Sequence, residues 1–380
     1  MSTHIATTAL RGSLGGHGHA AEALRACAKL WRARTGVDVV WEQPPAGACL
    51  EVAELARRHD LLVVEHPQIG RIVRDGCLLP LNRPERTRDL VRLAGQSVGA
   101  SFISYRLTGD QWALPIEATA HMQAWRADRL AGPVSTWDDL LSLARHGRVL
   151  LAMQPPHSLL VLLTLTANLG QPCGMMGEAE LNDAGFGADV LDRLRALVAR
   201  VDPACFAMDP AAVCERLSEE AAAEHCAPFI DGYVGFARAG LRPAPLAFAA
   251  IPVAGQQGPV GATLGGAGIA VSAHSPHAEA ALAFAYWLAS GDVQRGPYAD
   301  AGGQPANAVA WNDAAVDAAN GGFYRATRET LEHAVLRPRH DGWLAFQHAA
   351  AERINAGLGA REDAASIMFD LNRLFAASFG

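Results

Sequence analysis

The chain has almost no lysine, since Lys29 stands alone among 32 lysine and arginine residues. Its formal net charge is −7 and its pI is about 6.0. The arginines form no basic helix or tail, and nucleic-acid binding depends on such a concentrated positive surface. We therefore expect no nucleic-acid partner. A guanidinium suits carboxylate or phosphate ligands, but a GC-rich coding bias explains the same skew.

Paired cysteine motifs are also missing. The seven cysteines are scattered, with no C-x-x-C and no spacing typical of metal ligands. We expect no bound metal and no cofactor. The odd number leaves at least one free thiol, and free cysteines pack as small hydrophobes. In an oxidising compartment, a disulfide between Cys205 and Cys226 or between Cys214 and Cys226 is the alternative.

The sequence shows neither a targeting nor a membrane-spanning segment. Residues 1–11 have no basic region, no apolar stretch and no lipobox cysteine. The densest apolar run, residues 159–165, is far shorter than the roughly 20 residues that cross a bilayer. We expect no membrane insertion and, if Met1 is the native start, a cytoplasmic location.

Two well-known catalytic patterns, the phosphate loop G-x-x-x-x-G-K-[ST] and the metalloprotease pattern H-E-x-x-H, do not occur. The glycine-rich stretch 265–268 precedes a strand, whereas a dinucleotide-binding loop joins a strand to a helix. These absences favour a binding protein over an enzyme.

Length and patterning predict two α/β domains. A chain of 380 residues with 50% hydrophobic content exceeds the usual size of a single core. Its first part alternates strands and helices, and two of these helices end at Gly36 and Gly76. Such alternation predicts a parallel sheet covered by helices, with ligands at the carboxyl ends of the strands. The expected strands are 5–14, 37–41 and 60–65, and the expected helices are 20–35, 50–58 and 66–75.

The remaining chain continues the pattern less regularly. Thr136 is the expected cap of the next helix, with Asp139 reaching back to it. The expected strands are 149–153, 227–230, 246–252 and 265–271, and the expected helices are 137–144, 158–168, 188–200, 278–290 and the tail 324–379.

Six short segments appear in a characteristic order. They are Gly15-Gly16-His17-Gly18, residues 60–67, 112–126, 136–140 and 265–271, and Ala301-Gly302-Gly303-Gln304-Pro305. With them the chain resembles, from about residue 8 to 378, the family 1 extracellular solute-binding proteins, the receptors of ABC importers. The resemblance implies a two-lobed periplasmic-binding-protein-like fold, each lobe a mainly parallel sheet flanked by helices, with a ligand cleft at the hinge.

The resemblance also implies how the chain is divided and what it does. Lobe 1 would comprise residues 1–110 and 260–305, and lobe 2 residues 111–259 and 306–380. A monomer would enclose a small polar solute by hinge closure, deliver it to an ABC transporter permease and work in the periplasm. Carbohydrate is the ligand that the family favours, and a small carboxylate is the other class.

Candidate ligand-binding residues in the first half follow predicted strands. His17 and Gly18 lie in a glycine loop before a helix, a place suited to anions or hydroxyls or simply a permissive turn. His66 follows a buried strand, as a ligand contact or a helix cap. Glu117 stands where the crossover strand opens, to accept hydroxyl donors, to pair with a cation or to form a hinge salt bridge.

The second half supplies further candidates. Gln154 and His157 lie between a strand and a helix, in a ligand position or a proline turn. Asp231 offers an acceptor, while Tyr233 and Trp343 offer aromatic faces, with core packing the other role for Trp343.

The other second-half candidates lie in loops and in the glycine-led strand. Arg339 and His340 stand in a loop that would favour an anionic ligand if it faced the site and would otherwise be solvated. Three more candidates come from the resemblance: Gly265, Gly266 and Gln304.

Two other functional classes stay open. One is a cytoplasmic enzyme on the same scaffold, using Glu117 with His66 or His17 as acid and base. The other is an intracellular ligand sensor.

Overall fold

The computed structural model describes residues 9–16, 18–44, 51–175, 177 and 180–380, so His17 and Cys49 lie outside the described residues. Within this part the strands run in chain order as β1 (Ala9–Ser13), β2 (Asp38–Glu42), β3 (Leu61–Val64), β4 (Arg106–Leu107), β5 (Asp110–Gln111), β6 (Leu114–Pro115), β7 (Thr119–Trp125), β8 (Cys226–Asp231), β9 (Ala247–Ala249), β10 (Leu264–Gly265) and β11 (Gly268–Val271).

The helices outnumber the strands. In chain order they are α1 (Ala21–Thr35), α2 (Val52–Ala56), α3 (Ile69–Asp75), α4 (Thr87–Gly95), α5 (Trp137–Arg145), α6 (His157–Asn168), α7 (Ala184–Val198), α8 (Pro210–Leu217), α9 (Ala278–Leu288), α10 (Gly291–Val293), α11 (Ala308–Trp311), α12 (Ala314–Ala319), α13 (Phe323–Glu332), α14 (Trp343–Ala360) and α15 (Ala364–Ala377). Of the helices described, none combines the length and the apolar character needed to cross a membrane.

The predicted stop signals act as expected. Gly36 and Gly76 end α1 and α3 with φ angles of 75° and 58°, in the left-handed region that a glycine adopts at little cost. The Gly36 amide donates to the Arg32 carbonyl at 2.8 Å, which closes the last turn of α1.

The start of α5 is capped as predicted, although by a slightly different bond. The Thr136 hydroxyl oxygen accepts the Asp139 amide at 3.2 Å, and the same hydroxyl donates to the Asp139 carboxylate at 2.7 Å. We expect Thr136→Ala to lower the free energy of unfolding by about 1 kcal/mol and Thr136→Ser to retain most of it. Urea unfolding of both variants checks this, and equal losses would remove the hydroxyl cap as the cause.

The chain folds into two compact units. Unit 1 comprises residues 1–118 and 266–316, and unit 2 comprises residues 119–265 and 317–380. The chain therefore passes from one unit to the other three times. The lobe limits expected from the sequence, at 110/111, 259/260 and 305/306, each lie earlier in the chain.

The sheet of unit 1 has the order β2-β1-β3-β11-β6. β1 is parallel to β2 and β3, whereas β11 is antiparallel to β3 and to β6. Leu61 and Val63 face one apolar cluster and Leu62 and Val64 face another. Because successive side chains of a strand point to opposite faces, this run can be apolar throughout and still be fully used.

Unit 2 departs from the predicted sheet. β7 pairs with β8, β9 and β10, and each of these pairings is antiparallel. The prediction of a mainly parallel sheet for this half of the chain is therefore wrong. The segment expected as the strand 149–153 makes one parallel bridge, Val149 to Cys226. It then turns away, because the Met153 amide donates to the Cys205 carbonyl at 3.2 Å instead of continuing the ladder.

The cysteines in the described residues are free thiols, so neither of the two alternative bridges, Cys205–Cys226 and Cys214–Cys226, is present. Burial raises the pKa of Cys27 to about 12 and also raises the pKa of Cys226. These thiols are therefore protonated near neutral pH and act as buried apolar side chains.

Candidate functional site

The sheet register of unit 1 brings three predicted residues to one edge. Gly268, the first residue of β11, pairs with Val64 at the end of β3 and with Pro115 at the end of β6. His66 and Glu117 follow those two strand ends, and Gly266 precedes β11. This is the carboxyl end of β3, where α/β sheets present ligand-binding groups.

We call the group formed by His66, Glu117, Gly266 and Gln304 the unit 1 edge. Glu117 is held by its backbone: its amide donates to the Ala267 carbonyl at 3.0 Å, and its carbonyl accepts the Ala267 amide at 3.1 Å. A further bridge joins Glu117 to Pro305. Gln304 is also fixed, since its Nε2 donates to the Ala118 carbonyl at 2.9 Å.

Gly266 is required at this edge by its conformation and by its surroundings. Its φ angle is 115°, and a Cβ there would lie 2.3 Å from the Glu117 carbonyl oxygen. A side chain is excluded on both counts. The glycine therefore lets the two backbone segments approach closely enough to hold Glu117 in place.

His66 is buried, with 1% of its surface exposed. It begins a single helical turn, residues 66–68, that Glu65 and Gln68 cap reciprocally. Its ring meets the Tyr105 ring edge to face at 6.4 Å between centroids. The Tyr105 hydroxyl lies 3.4 Å from the carbonyl oxygens of both Val64 and Gly266. Tyr105 thus supports the unit 1 edge, and no sequence pattern pointed to it.

The glycine loop after β1 reaches the same end of the sheet. Gly15 has a φ angle of 55°, and a Cβ on it would lie 2.9 Å from the Val63 carbonyl oxygen. Gln43 Nε2 donates to the Gly15 carbonyl at 3.2 Å. Gly18 is exposed and begins a short helical turn. His17 lies outside the described residues, so its predicted role stays a prediction.

A second group lies where β8 ends in unit 2. Asp231 pairs with His121 of β7, and Gly265 pairs with Thr119. A Cβ on Gly265 would lie 3.2 Å from Asp231 Oδ1, so the glycine leaves room for the carboxylate. Thr119 Oγ1 donates to the Gly232 carbonyl at 2.9 Å and fixes the turn after Asp231.

Three further candidates of unit 2 are half-buried or exposed. Tyr233 is half-buried and its ring lies 6.3 Å from that of Phe236. Gln154 is exposed and precedes the proline turn, its carbonyl accepting the His157 amide at 2.8 Å. His157 begins α6 and is half-buried. Their ligand-binding roles stay predictions.

Beside Asp231, a buried polar chain runs into unit 2. His121 Nδ1 lies 2.8 Å from Thr164 Oγ1, which lies 2.6 Å from Thr263 Oγ1. All three side chains are at most 2% exposed. Their only sequence signal was the position of His121 in the crossover segment, two residues after Thr119, and it did not single them out.

We expect His121 to remain neutral in the folded protein at pH 5. Burial lowers its pKa to about 3, and the positive charges of His157 and Arg337 act in the same direction. Its contribution to stability is therefore complete above pH 6.5, its ordinary pKa, and is lost as the pH falls towards 3. The slope from this residue is at most about 1.4 kcal/mol per pH unit.

An NMR titration of the His121 ring checks this. Unfolding free energies at pH 7 and pH 5 complete the test, since His121→Gln removes the titrating group. A His121 ring that titrates near its ordinary pKa of 6.5 would contradict the expectation.

Arg339 and His340 lie in the loop before α14 and Trp343 begins that helix; the rings of His340 and Trp343 contact Phe375 of α15. Trp343 is 0% exposed and its ring contacts Phe346 and Phe375 at 5.1 and 6.4 Å. The His340 ring stacks on Phe379 at 3.8 Å. Burial lowers the pKa of Arg339. The geometry of Trp343 is that of a core residue, so we leave it out of the proposed site.

One pattern associated with serine hydrolases does occur, from Gly95 to Gly99. In those enzymes G-x-S-x-G forms a sharp turn between a strand and a helix. Here it comes at the end of α4, and Ser97 makes a bridge to Asn307. The pattern therefore lacks the strand-to-helix setting that exposes a nucleophile.

The family of the chain follows from a match to a family model. The model for bacterial extracellular solute-binding proteins matches residues 28–321. The chain belongs to this family. None of the curated proteins matches it in sequence.

Solved structures share the fold over nearly the whole chain. Maltose-bound MalE3 of T. maritima is 16% identical with a TM-score of 0.80, and the alignment covers 97% of this chain and 99% of that one. A protein of Thermotoga lettingae TMO bound with α-D-tagatose is 16% identical, with a TM-score of 0.82 and coverage of 98% and 100%. One of Agrobacterium radiobacter K84 in complex with ribitol is 18% identical, with a TM-score of 0.79 and coverage of 96% and 97%.

These matches confirm two predictions from the sequence. The resemblance to extracellular solute-binding proteins is confirmed by the family match, and the two-lobed periplasmic-binding-protein fold by the structural likeness.

Proposed function

We propose that this chain binds a small, neutral, polyhydroxylated solute, a sugar or a sugar alcohol, without converting it. The observation that carries the proposal is the unit 1 edge, where the strand ends before His66 and Glu117 flank β11 and the segment of Gln304 bridges to Glu117. The three side chains suit hydroxyl groups. The Glu117 carboxylate accepts hydrogen bonds, the Gln304 amide both donates and accepts them, and the imidazole of His66 offers one donor and one acceptor when neutral.

The composition of this edge favours hydroxyl groups over a carboxylate ligand. A carboxylate ligand would meet the Glu117 carboxylate, which it repels. His340, one of the two residues that suggested an anion, is engaged within unit 2, where its ring stacks on Phe379 and contacts Phe375. Relatives of similar fold are described with maltose, α-D-tagatose and ribitol, and each of these ligands is a neutral polyol.

In unit 2 we propose Asp231 as a second acceptor and Tyr233 as an aromatic surface. Asp231 stands at the end of β8 with the glycine of β10 beside it, and an aromatic face binds the apolar side of a sugar ring. Asp231→Asn is expected to weaken solute affinity by about tenfold, the effect of losing a charge-assisted hydrogen bond. Calorimetric titration against the wild type measures this, and an unchanged affinity would place Asp231 outside the site.

The wider role follows from the family. We propose that the protein acts outside the cytoplasmic membrane as a monomer and presents its solute to an ABC transporter permease. A rival enzyme would use Glu117 and His66 as acid and base. Incubating the protein with its bound solute and following the solute by NMR distinguishes the two, because a binding protein returns it unchanged.

The test of the ligand class is a thermal-shift panel of sugars, sugar alcohols, uronates and dicarboxylates, followed by titration of each hit. We expect the neutral members to raise the melting temperature. Stabilisation by dicarboxylates alone would overturn the proposed ligand class but leave solute binding intact.

A further inference from the structure

Unit 1 contains a pocket that none of the candidate residues lines. It has a volume of about 530 Å³ and lies among α1, α4, α9 and residues 290–293. Helix α1 ends just before β2, which begins level with Ala9 at the start of β1. Arg34 and Thr35, at the end of α1, therefore lie towards the amino end of β1, whereas His66 and Glu117 follow the opposite end of the sheet.

The pocket has a rigid aromatic wall. The rings of Trp31 and Trp287 lie 5.1 Å apart with a tilt of 41°, and Phe284 packs behind both of them at 5.7 and 5.8 Å. Trp31 is 8% exposed, whereas Trp287 is half-buried. Indole faces held in this way offer stacking surface for a flat ring at little entropic cost.

The charged residues of the pocket differ in whether they already have an ion-pair partner. Asp89 is shared by Arg92 at 2.8 Å and Arg86 at 3.7 Å, and the Arg86 guanidinium also lies 5.4 Å from the Tyr286 ring. These two arginines are therefore already engaged.

The other charged groups of the lining differ in their partners. Asp292 is 94% exposed and pairs with Arg295 at 3.7 Å. Arg34 lines the pocket, and within the part of the chain that the structure describes its guanidinium has neither a hydrogen-bond partner nor an ion-pair partner. A guanidinium so placed is available to an incoming anion, and its planar donors match a carboxylate.

We infer that this pocket binds a small aromatic carboxylate, with the ring against Trp31 and Trp287 and the carboxylate on Arg34. Its volume falls within the range of small-molecule sites, about 300–1,000 Å³, and its lining combines aromatic surface with a few polar groups as such sites do. The site is separate from the unit 1 edge and does not depend on the proposed solute.

The experiment uses 4-fluorobenzoate as the probe and ¹⁹F NMR line broadening as the readout, with the full chain. Arg34→Ala is expected to weaken binding by about tenfold. Arg88→Ala is the matched control, because Arg88 is exposed, lies on α4 and is absent from the lining. We expect it to leave the affinity unchanged. The neutral analogue 4-fluorobenzyl alcohol should bind about tenfold more weakly than the carboxylate.

The outcomes are decisive in both directions. Weakening in Arg34→Ala alone, together with a preference for the carboxylate, supports the site. No broadening at millimolar probe overturns it, as do equal affinities of the Arg34 and Arg88 variants. Binding that survives Arg34→Ala but is lost in Glu117→Gln places the probe at the unit 1 edge and also overturns it.

Discussion

Glu117→Gln is expected to lower the affinity for the solute by at least about tenfold, or roughly 1.4 kcal/mol. Glutamine keeps the size of the side chain but replaces one carboxylate oxygen by a donor and removes the charge. Hydroxyl groups that donate to both oxygens then lose one acceptor and the charge assistance of the other. Calorimetric titration of the two proteins measures the loss.

The ligand-free melting temperature of this variant should change little, because the substitution keeps the backbone contacts of Glu117 with the segments at residues 267 and 305. Glu85→Gln, at an exposed position of unit 1, is the control and should bind as the wild type does. Wild-type affinity in the Glu117 variant would remove this carboxylate from the site.

Gly266→Ala is expected to lower the free energy of unfolding by about 3 kcal/mol or more. The alanine would have to adopt a φ angle of 115° with its Cβ 2.3 Å from a backbone carbonyl oxygen. Relief requires the segment at Glu117 and Ala118 to move, so solute affinity should fall as well. Urea unfolding and titration together measure both effects.

Gly36→Ala separates strain from steric overlap. Gly36 also has a positive φ, 75°, but nothing lies within 4 Å of the position of its Cβ. Its substitution should cost about 1 kcal/mol and leave solute binding intact. If the two alanine variants lose the same stability, the close approach at Gly266 has no energetic role.

Local signals in the sequence predicted the elements that depend on them. Gly36 and Gly76 ended helices because only the left-handed conformation follows there, and Thr136 capped α5 because its hydroxyl meets an amide that has no other partner. The placement of His66 and Glu117 at one edge followed from reading them as residues after strand ends. Their role towards a ligand stays a prediction.

The predictions that were wrong concern contacts between residues far apart in the sequence. Residues 149–153 are an apolar run, and such a run cannot distinguish a strand from another buried segment; the Met153 amide bonds to the Cys205 carbonyl, a contact that no local pattern encodes. The antiparallel pairing of β7 was not predicted for the same reason, because β7 pairs with strands that lie far away in the sequence. For Trp343 the sequence left a binding surface and core packing as alternatives, because aromatic side chains are common in both settings, and its complete burial fits core packing.

The buried chain of His121, Thr164 and Thr263 was missed for a different reason. Its members are more than 40 residues apart, and each of them, taken alone, is an ordinary polar residue in an apolar stretch. Their hydrogen bonds become visible only when the fold brings them together, which satisfies polar atoms that would otherwise be costly to bury.

Whether the chain binds neutral polyhydroxylated solutes is decided by calorimetric titration of the wild-type protein. One set of ligands comprises neutral sugars and sugar alcohols, and the other comprises dicarboxylates and uronates. We expect saturable heat with at least one neutral polyol and none with the dicarboxylates. Tight binding of a dicarboxylate, with no neutral polyol bound, would contradict this expectation.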